Sequence, residues 1–363
     1  MALAIEQVRW GILGTARIAE RVAAAIHAAA GAELVAIASR SKRRAAAWGE
    51  THRARCHYGS YAELLEDDQL DAIYIPLPPA LHHEWTIQAA EHGKHVLCEK
   101  PLAMDAEQVE GMVAACAANQ VQLMDGTMWV HHPRTRDMAT VVHGGQLGQL
   151  RRVVSGFSME LNSYLEKKPP TIDPANLVGK DTGMAGAAKG GSMRDHEIRL
   201  RRDMGGGALM DLGWYCVRAS LWAFREVPQR VFGSARYESD VDINFSGMMW
   251  FSGGRVATFD CAFDQTWRKW FEIVGDQGSL VCDDFLSPWK PERPRYWVHD
   301  AAATATECVA DVASQEQRMV EEFCRLVQTQ TQDPQWPAIG LTNQRVCDAL
   351  AESARAQRVV TLS

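Results

Sequence analysis

Residues 8–19 read VRWGILGTARIA, in which an apolar run, Val8–Leu13, passes through Gly14 into an alanine-rich helical segment. The same order repeats along the first third of the chain. Apolar runs typical of buried strands recur at 34–38, 72–75, 95–98 and 121–124, and helical patterns occur at 18–29, 42–51, 84–91 and 106–118. Alternation of this kind predicts an α/β domain over residues 1–127, built on a doubly wound parallel sheet.

After residue 127 the pattern changes to short runs separated by glycine-rich turns. Candidate strands occur at 151–160, 230–237, 248–250, 256–263, 270–274 and 279–282. They predict an open, mainly antiparallel sheet in a second, α+β domain over residues 128–363. Two closing helices, 315–328 and 342–357, are candidates to pack back on the first domain.

Residues 162–203 form an extended insertion in this second domain, rich in Gly, Pro, Lys and Arg. Long segments without periodicity inside compact domains are usually functional or disordered. The insertion ends just before Gly205. A fold over the cleft, a contact with a neighbouring subunit, and disorder all stay open as alternatives.

The amino-acid composition limits which partners and which cellular compartment we expect for the protein. A net charge of −7 argues against nucleic acid or an anionic membrane as partner, and no apolar run is long enough to span a bilayer. Nine cysteines, an odd number without a CxxC pair, are typical of reduced thiols in the cytoplasm. The pairs His82-His83 and His131-His132 lack a supporting cysteine or carboxylate cluster, so we expect no metal site.

The turn at Gly14 is a weak form of the dinucleotide fingerprint. Where that motif has G-x-G-x-x-G, this chain has Gly14, Ala16 and Ala19. Its place between the first strand and the first helix nevertheless predicts that a pyrophosphate binds at the helix N-terminus. The residues expected to contact it are Gly14, Thr15, Ala16, Arg17 and Ile18.

The end of the second strand distinguishes the two nicotinamide cofactors. It reads Ser39-Arg40-Ser41-Lys42-Arg43, without Asp or Glu. An acidic residue there would hold the ribose hydroxyls of NAD(H), whereas arginine beside small hydroxyl residues suits the 2′-phosphate of NADP(H). The sequence therefore predicts NADP(H), bound through Ser39, Arg40 and Arg43, with NAD(H) as the alternative.

Two further motifs give the chain a family resemblance. Glu99-Lys100-Pro101 follows the strand at 95–98, and the block GGGALMDLGWY occupies residues 205–215. With these motifs the chain resembles the Gfo/Idh/MocA oxidoreductases over nearly its whole length, most closely an uncharacterised plant branch. The resemblance implies a Rossmann domain, a C-terminal α+β domain, and a homo-oligomer (dimer or tetramer) formed through the open sheet. It also implies a cis Lys100–Pro101 bond.

The resemblance assigns the acid/base chemistry to Lys100, Asp211 and Tyr215. Hydride transfer from a carbinol carbon requires a group that takes the hydroxyl proton. A tyrosine titrates near 10, and a neighbouring ammonium favours its phenolate, which gives Lys100 a task beside Tyr215. Asp211 and Tyr215 are four residues apart, hence on one helix face. We expect the three glycines before them to let the backbone pass close to a ligand.

Other contacts follow from the resemblance alone. It implies cofactor contacts from Pro76, Leu77, His82, Glu99 and Lys100, and substrate contacts from Trp129, His131 and Trp214. Val130 stands where sugar-active members often have arginine.

Together these features predict an NADP(H)-dependent oxidoreductase acting on the CH–OH/C=O group of a sugar, polyol or cyclic diol. Two alternatives stay open. One is an NAD-using glycoside-cleaving enzyme of the same fold, and the other is a cofactor-binding protein without catalysis.

Overall fold

The computed structural model describes residues 6–166, 197–330 and 332–362. Most of the insertion, residues 167–196, lies outside the described residues. The strands are β1 (Val8–Leu13), β2 (Ala32–Ala38), β3 (Cys56–Tyr58), β4 (Ala72–Ile75), β5 (His95–Cys98), β6 (Leu123–Asp125), β7 (Leu150–Glu160), β8 (Arg230–Glu238), β9 (Val241–Trp250), β10 (Val256–Ala262), β11 (Asp264–Gly275), β12 (Gly278–Cys282), β13 (Arg295–Asp300), β14 (Ala305–Val309) and β15 (Val360–Thr361). The helices are α1 (Arg17–Ala28), α2 (Lys42–His52), α3 (Tyr61–Leu65), α4 (Pro79–Glu91), α5 (Ala106–Ala118), α6 (Pro133–His143), α7 (Leu161–Glu166), α8 (Trp214–Phe224), α9 (Gln315–Gln328) and α10 (Gln335–Ala356).

The first sheet has six parallel strands in the order β3-β2-β1-β4-β5-β6, which confirms the predicted doubly wound sheet. Both faces are buried. Trp10 and Ile12 face one apolar core, with α1 and α9, and Leu13 and Ile73 face the other, with α4 and α5. The strand order reverses beside β1, and ligands of such sheets bind at this reversal, outside the carboxyl ends of the strands.

The second sheet has nine strands in the order β14-β13-β12-β11-β7-β10-β9-β8-β15. Neighbours are antiparallel except β7 and β10, so the prediction of a mainly antiparallel sheet is confirmed. Helices α8 and α10 pack on one face. Along β11, buried Phe271 and Ile273 alternate with half-buried Trp270, Glu272 and Val274.

The closing helices join the two halves of the molecule. Helix α9 contributes to the first core, where the Phe323 ring lies 5.0 Å from the Trp10 ring. Helix α10 contacts α5 and β6 of the first half and β8 of the second. The two sheets therefore meet through shared helices. Within the described residues, no helix combines the length and apolarity needed to cross a membrane.

Candidate active site

Lys100 stands just past the carboxyl end of β5, held by a buried support. The Lys100–Pro101 bond is cis, as the resemblance implied. Behind Lys100, the buried Glu99 carboxylate accepts hydrogen bonds from the Tyr74 hydroxyl (2.7 Å) and the Lys100 backbone N–H (3.2 Å). These contacts fix the backbone that carries the ammonium group.

The other two predicted acid/base residues meet Lys100 there. A π-helical turn, Leu209–Gly213, leads directly into α8 and carries Asp211, while Tyr215 lies in the first turn of α8. Lys100 Nζ donates to Asp211 Oδ1 (2.7 Å) and to the Asp211 carbonyl (3.0 Å), and it lies 4.8 Å from the centre of the Tyr215 ring. The structure thus brings Lys100, Asp211 and Tyr215 together from two distant parts of the sequence.

The electrostatics of this group differ in one respect from the expectation. Burial opposes the charges of Lys100 and Asp211, but their attraction outweighs it: the pKa of Lys100 is raised and that of Asp211 is held well below its usual range. For Tyr215, burial raises the pKa to about 12, and Lys100 lowers it only in part. Tyr215 is therefore a neutral phenol at neutral pH, prepared to donate a proton rather than to take one.

A fourth residue, the charged Arg199, completes the group. Its Nε donates to Asp211 Oδ2 (2.8 Å), and its Nη1 donates to Glu197 Oε1 (2.9 Å). Asp211 therefore carries one cation on each oxygen. Arg199 also lies 5.5 Å above the Tyr164 ring, whose hydroxyl accepts from Arg17 (2.5 Å) at the start of α1. Sequence reasoning missed Arg199, Glu197 and Tyr164 because they lie in the insertion, which carries no periodicity.

The glycines at 205–207 were expected to let the backbone approach a ligand, and in the structure they pack closely against other parts of the protein. A Cβ at Gly206 would lie 2.5 Å from the Arg199 carbonyl oxygen, and one at Gly207 would lie 2.4 Å from Asp242 Oδ1. Gly207 also has φ +135°, a conformation that side chains rarely adopt. The backbone N–H of Gly207 donates to the Arg199 carbonyl (3.0 Å). The glycines therefore allow the described end of the insertion to sit beside Asp211.

An aromatic wall extends from Tyr215. The Phe157 ring lies 5.7 Å from the Tyr215 ring and 6.4 Å from the Trp267 ring, and Trp267 stacks on Tyr164 at 5.9 Å. Trp267 is 41% exposed, the largest exposure within this wall.

The turn after β1 has the geometry of a phosphate-binding loop. Gly14 has φ +96°, and a Cβ there would lie 2.9 Å from Leu77 Cδ2, so the loop carrying Pro76 and Leu77 presses on this turn. Ala16 precedes α1 and provides no side-chain cap, which leaves the first N–H groups of the helix available to an anion. Thr15 and Ile18 flank it.

The end of β2 collects cations without a carboxylate. Arg44 Nε donates to Ser39 Oγ (3.0 Å), and burial and the nearby charge of Arg40 lower the pKa of Arg44. Within the described ranges, neither Arg40 nor Arg44 is paired with Asp or Glu. This donor set fits a phosphate group. Arg44 was not predicted, although it lies one helical turn beyond Arg40 and faces the same strand end.

Comparison with known proteins agrees with this architecture. The model of an oxidoreductase family with an NAD-binding Rossmann fold matches residues 8–127, and the model of the GFO/IDH/MocA C-terminal domain matches residues 135–281. The chain belongs to the Gfo/Idh/MocA family.

Characterised relatives of this Gfo/Idh/MocA protein act on several substrates. D-xylose 1-dehydrogenase (NADP(+)) 2 of Haloferax volcanii is 32% identical, over 97% of this chain and 99% of that protein. Trans-1,2-dihydrobenzene-1,2-diol dehydrogenase of Xenopus tropicalis is 27% identical, over 77% of each. The crystal structure of KijD10, a 3-ketoreductase from Actinomadura kijaniata in complex with NADP and TDP-benzene, matches with a TM-score of 0.82 and 28% identity, over 96% of this chain and 98% of that one.

Two residues expected at the cofactor have their side chains engaged by protein groups. Burial lowers the pKa of His82 to about 4, and its ring nitrogens lie 2.9 Å from the Pro101 carbonyl and 2.7 Å from the Leu77 carbonyl. The ring therefore lies between the Leu77 loop and the loop that carries Lys100, and the neutral form donates to one of the two carbonyls. Glu99 likewise has its carboxylate engaged by Tyr74. Both side chains thus support the loops that carry Leu77 and Lys100.

The side chains of the three predicted substrate residues do not join the group formed by Lys100, Asp211 and Tyr215. Trp129 is 1% exposed and packs edge-on against Trp222 and Phe285, and Trp214 is fully buried with its Nε1 donating to Thr127 (3.1 Å). His131 stacks on Trp336 at 4.9 Å and lines a cavity of about 420 Å³ beside α9, which Lys100, Asp211 and Tyr215 do not line. The indoles of Trp129 and Trp214 are buried in this arrangement and cannot stack on a substrate. Among the described residues no group of three His, Cys, Asp or Glu is arranged to hold a metal.

Proposed function

We propose that this protein is an NADP(H)-dependent oxidoreductase that interconverts a CH–OH and a C=O group on a sugar or cyclic diol. The observation that carries the proposal is the meeting of Lys100, Asp211 and Tyr215 at the carboxyl edge of the parallel sheet, with Lys100 Nζ 2.7 Å from Asp211 and 4.8 Å from the Tyr215 ring. Ligands of such sheets bind at this edge.

The residues at the first two strand ends fit NADP(H). The uncapped start of α1 suits the pyrophosphate, and the two arginines at the end of β2 suit a 2′-phosphate, which carries the charge that they lack. The xylose dehydrogenase and the ketoreductase, whose names include NADP, support the same choice.

The chain's own groups supply the proton transfer. When bound, the nicotinamide gives a hydride to the carbonyl carbon or takes one from the carbinol carbon. In reduction, the Tyr215 phenol donates its proton to the carbonyl oxygen as that oxygen gains negative charge, and the Lys100 ammonium stabilises the resulting phenolate. In oxidation the phenolate takes the hydroxyl proton back. Asp211 holds Lys100 in place throughout.

The wall beyond Tyr215 supports a ring-shaped substrate. The exposed Trp267 face lies next to Phe157 and Tyr164, and aromatic faces pack well against the apolar faces of sugar and cyclohexane-type rings. The relatives that act on xylose and on a dihydrodiol share this ring character.

A substrate screen with a matched variant tests the proposal. Aldoses, polyols, cyclic diols and nucleotide sugars are offered with NADP⁺ or NADPH, and absorbance of NADPH is followed. Tyr215→Phe should lose roughly 10²- to 10⁴-fold in kcat while NADPH binding, followed by fluorescence, stays unchanged. Because the pKa of Tyr215 is raised, oxidation should accelerate with pH and reduction should stay level from neutral pH. A Tyr215→Phe protein as active as the wild type would refute the proposed chemistry.

We also propose that the second sheet forms the contact of a homo-oligomer. Trp270, Glu272 and Val274 alternate with residues buried under the helices and therefore lie on the opposite face. Their cross-strand neighbours there include Val154 and Val281 opposite Glu272, and Arg152 opposite Val274. The apolar members of this face suit a contact that is covered in the functional protein. Sedimentation of the purified chain should show a dimer or larger species, and a monomer at micromolar concentration would refute the contact.

The nine cysteines support a reducing compartment. All nine are free thiols, seven of them buried, which suits the cytoplasm.

A further inference from the structure

Arg199 occupies the second oxygen of the carboxylate that holds Lys100. Lys100 Nζ lies 2.7 Å from Asp211 Oδ1, and Arg199 Nε lies 2.8 Å from Asp211 Oδ2. Only 12% of the Lys100 side chain, 19% of Asp211 and 26% of Arg199 are exposed, so solvent screens these charges weakly. The charge of Asp211 is thus shared between two cations at nearly equal distance.

Several charged or titratable groups surround Tyr215, and they come from four parts of the fold. Lys100 and Glu99 come from the loop after β5, and Tyr74 comes from β4. Asp211 lies on the same helical segment as Tyr215, and Arg199 with its partner Glu197 comes from the end of the insertion. The charged side chains in or next to the acid/base group are Lys100, Arg199, Asp211, Glu197 and Glu99.

The balance of this group decides how strongly Lys100 acts on Tyr215. An ammonium favours the phenolate, whereas a nearby carboxylate disfavours it. Asp211 alone would cancel much of the effect of Lys100, because it lies in contact with the ammonium. Arg199 neutralises Asp211 from the other side and so restores that effect.

We propose that Arg199 is a positioning residue for the acid/base chemistry, which neutralises Asp211 so that Lys100 can stabilise the Tyr215 phenolate. The inference rests on the proposed function for its consequence in turnover, but the charge arrangement itself can be measured without a substrate.

The backbone around Arg199 is built to hold this position. The Arg199 carbonyl accepts the Gly207 N–H at 3.0 Å, and any side chain at Gly206 would collide with that carbonyl. The Glu197 carboxylate accepts from both the backbone N–H (3.1 Å) and the Nη1 (2.9 Å) of Arg199. The side chain can therefore be replaced without disturbing the glycine contacts.

Four variants separate an electrostatic role from a purely structural one. Arg199→Met removes the cation, Glu197→Gln removes one anion of the same group, and the double variant restores the net charge. Arg199→Lys keeps the cation. If charge is what matters, the pH midpoint of kcat for oxidation rises by about one pH unit in Arg199→Met. It falls in Glu197→Gln, and it returns toward the wild-type value in the double variant and in Arg199→Lys.

Phenolate absorbance measures the ionisation of Tyr215 even if no substrate is turned over. The difference in phenolate absorbance between each protein and its Tyr215→Phe counterpart gives the ionised fraction of Tyr215 alone. At the most alkaline pH at which the protein stays folded, this fraction should fall by up to about tenfold in Arg199→Met and recover in the double variant. An unchanged fraction in a folded Arg199→Met protein, or a double variant no better than the single one, would overturn the inference. Absence of turnover in the wild type, by contrast, would count against the proposed function alone.

Discussion

Two pairs of cations lie at the carboxyl edge of the same parallel sheet, and the chain neutralises them differently. At the end of β2, the charge of Arg40 acts on Arg44, and in the part of the chain that the structure describes neither has a carboxylate partner. At the end of β5, Lys100 and Arg199 share Asp211, and Arg199 also holds Glu197. The first pair is prepared for an anion, and the second is balanced and suits an uncharged hydroxyl or carbonyl.

The largest effect is expected from a substitution in the balanced pair, Lys100 and Arg199. Lys100→Met should lower kcat on the order of 10²- to 10⁴-fold, because it removes the charge that stabilises the Tyr215 phenolate and leaves Asp211 held by Arg199 alone. NADPH affinity should stay unchanged, since the phosphate-binding groups are elsewhere. Stopped-flow hydride transfer and NADPH fluorescence titration measure the two quantities.

The matched control lies at the other end of the same strand. Lys94 is also buried, but it precedes β5 and donates to the Asp67 and Leu70 carbonyls at 2.8 and 3.0 Å. Lys94→Met should lower thermal stability and leave hydride transfer intact in the folded fraction. Equal loss of turnover in both variants would show that Lys100 acts through stability only.

A smaller effect is expected at the unbalanced pair. Arg44→Ala and Arg40→Ala should each raise KM for NADPH roughly 10- to 100-fold, because each removes a charged hydrogen bond to a phosphate. KM for NADH should change little, since NADH lacks that phosphate. Arg55→Ala, which breaks an exposed pair with Glu33, is the control of equal charge. A wild type equally efficient with both cofactors would contradict the assignment of this pair.

Much of the fold was predictable because buried parallel strands leave a local apolar signal. Val8–Leu13, Ala72–Ile75 and His95–Cys98 have the predicted bounds. Strand β3 has only three residues and was missed, and β13 and β14 were missed because the proline-rich run before them reads as a loop. Local patterns find elements long enough to repeat their period, and shorter ones depend on their neighbours in space.

The residues of the site were predictable to different degrees for the same reason. Lys100, Asp211 and Tyr215 lie in motifs that are readable in the sequence, whereas Arg199 acts from a segment whose position only the folded chain defines. Trp129 and Trp214 were predicted to contact substrate but are buried, because a sequence does not show which aromatic rings pack in the core. The sequence also predicted that Lys100 would lower the pKa of Tyr215. In the structure burial raises that pKa by more than Lys100 lowers it, and the degree of burial depends on long-range packing.

The smallest expected effect concerns a carboxylate that holds the start of the segment carrying Asp211. Asp242 of β9 accepts the Leu209 backbone N–H (2.7 Å) at the start of the segment that carries Asp211, and burial raises the pKa of Asp242 to about 6. An aspartate ordinarily titrates near 4, so between about pH 4 and pH 6 the folded chain keeps a proton that the unfolded chain has lost. The stability from that proton is complete below this window and is lost as the pH rises through it.

Asp242→Asn should therefore gain stability relative to the wild type as the pH rises from 4 to 6, by about 1–2 kcal/mol, because the amide oxygen still accepts the Leu209 N–H but never ionises. The gain should level off above pH 6. Urea unfolding at several pH values measures it, with the exposed Asp311→Asn as control. A constant difference between Asp242→Asn and the wild type across this range would mean that Asp242 titrates normally, which would contradict the burial of this carboxylate as the cause of its raised pKa.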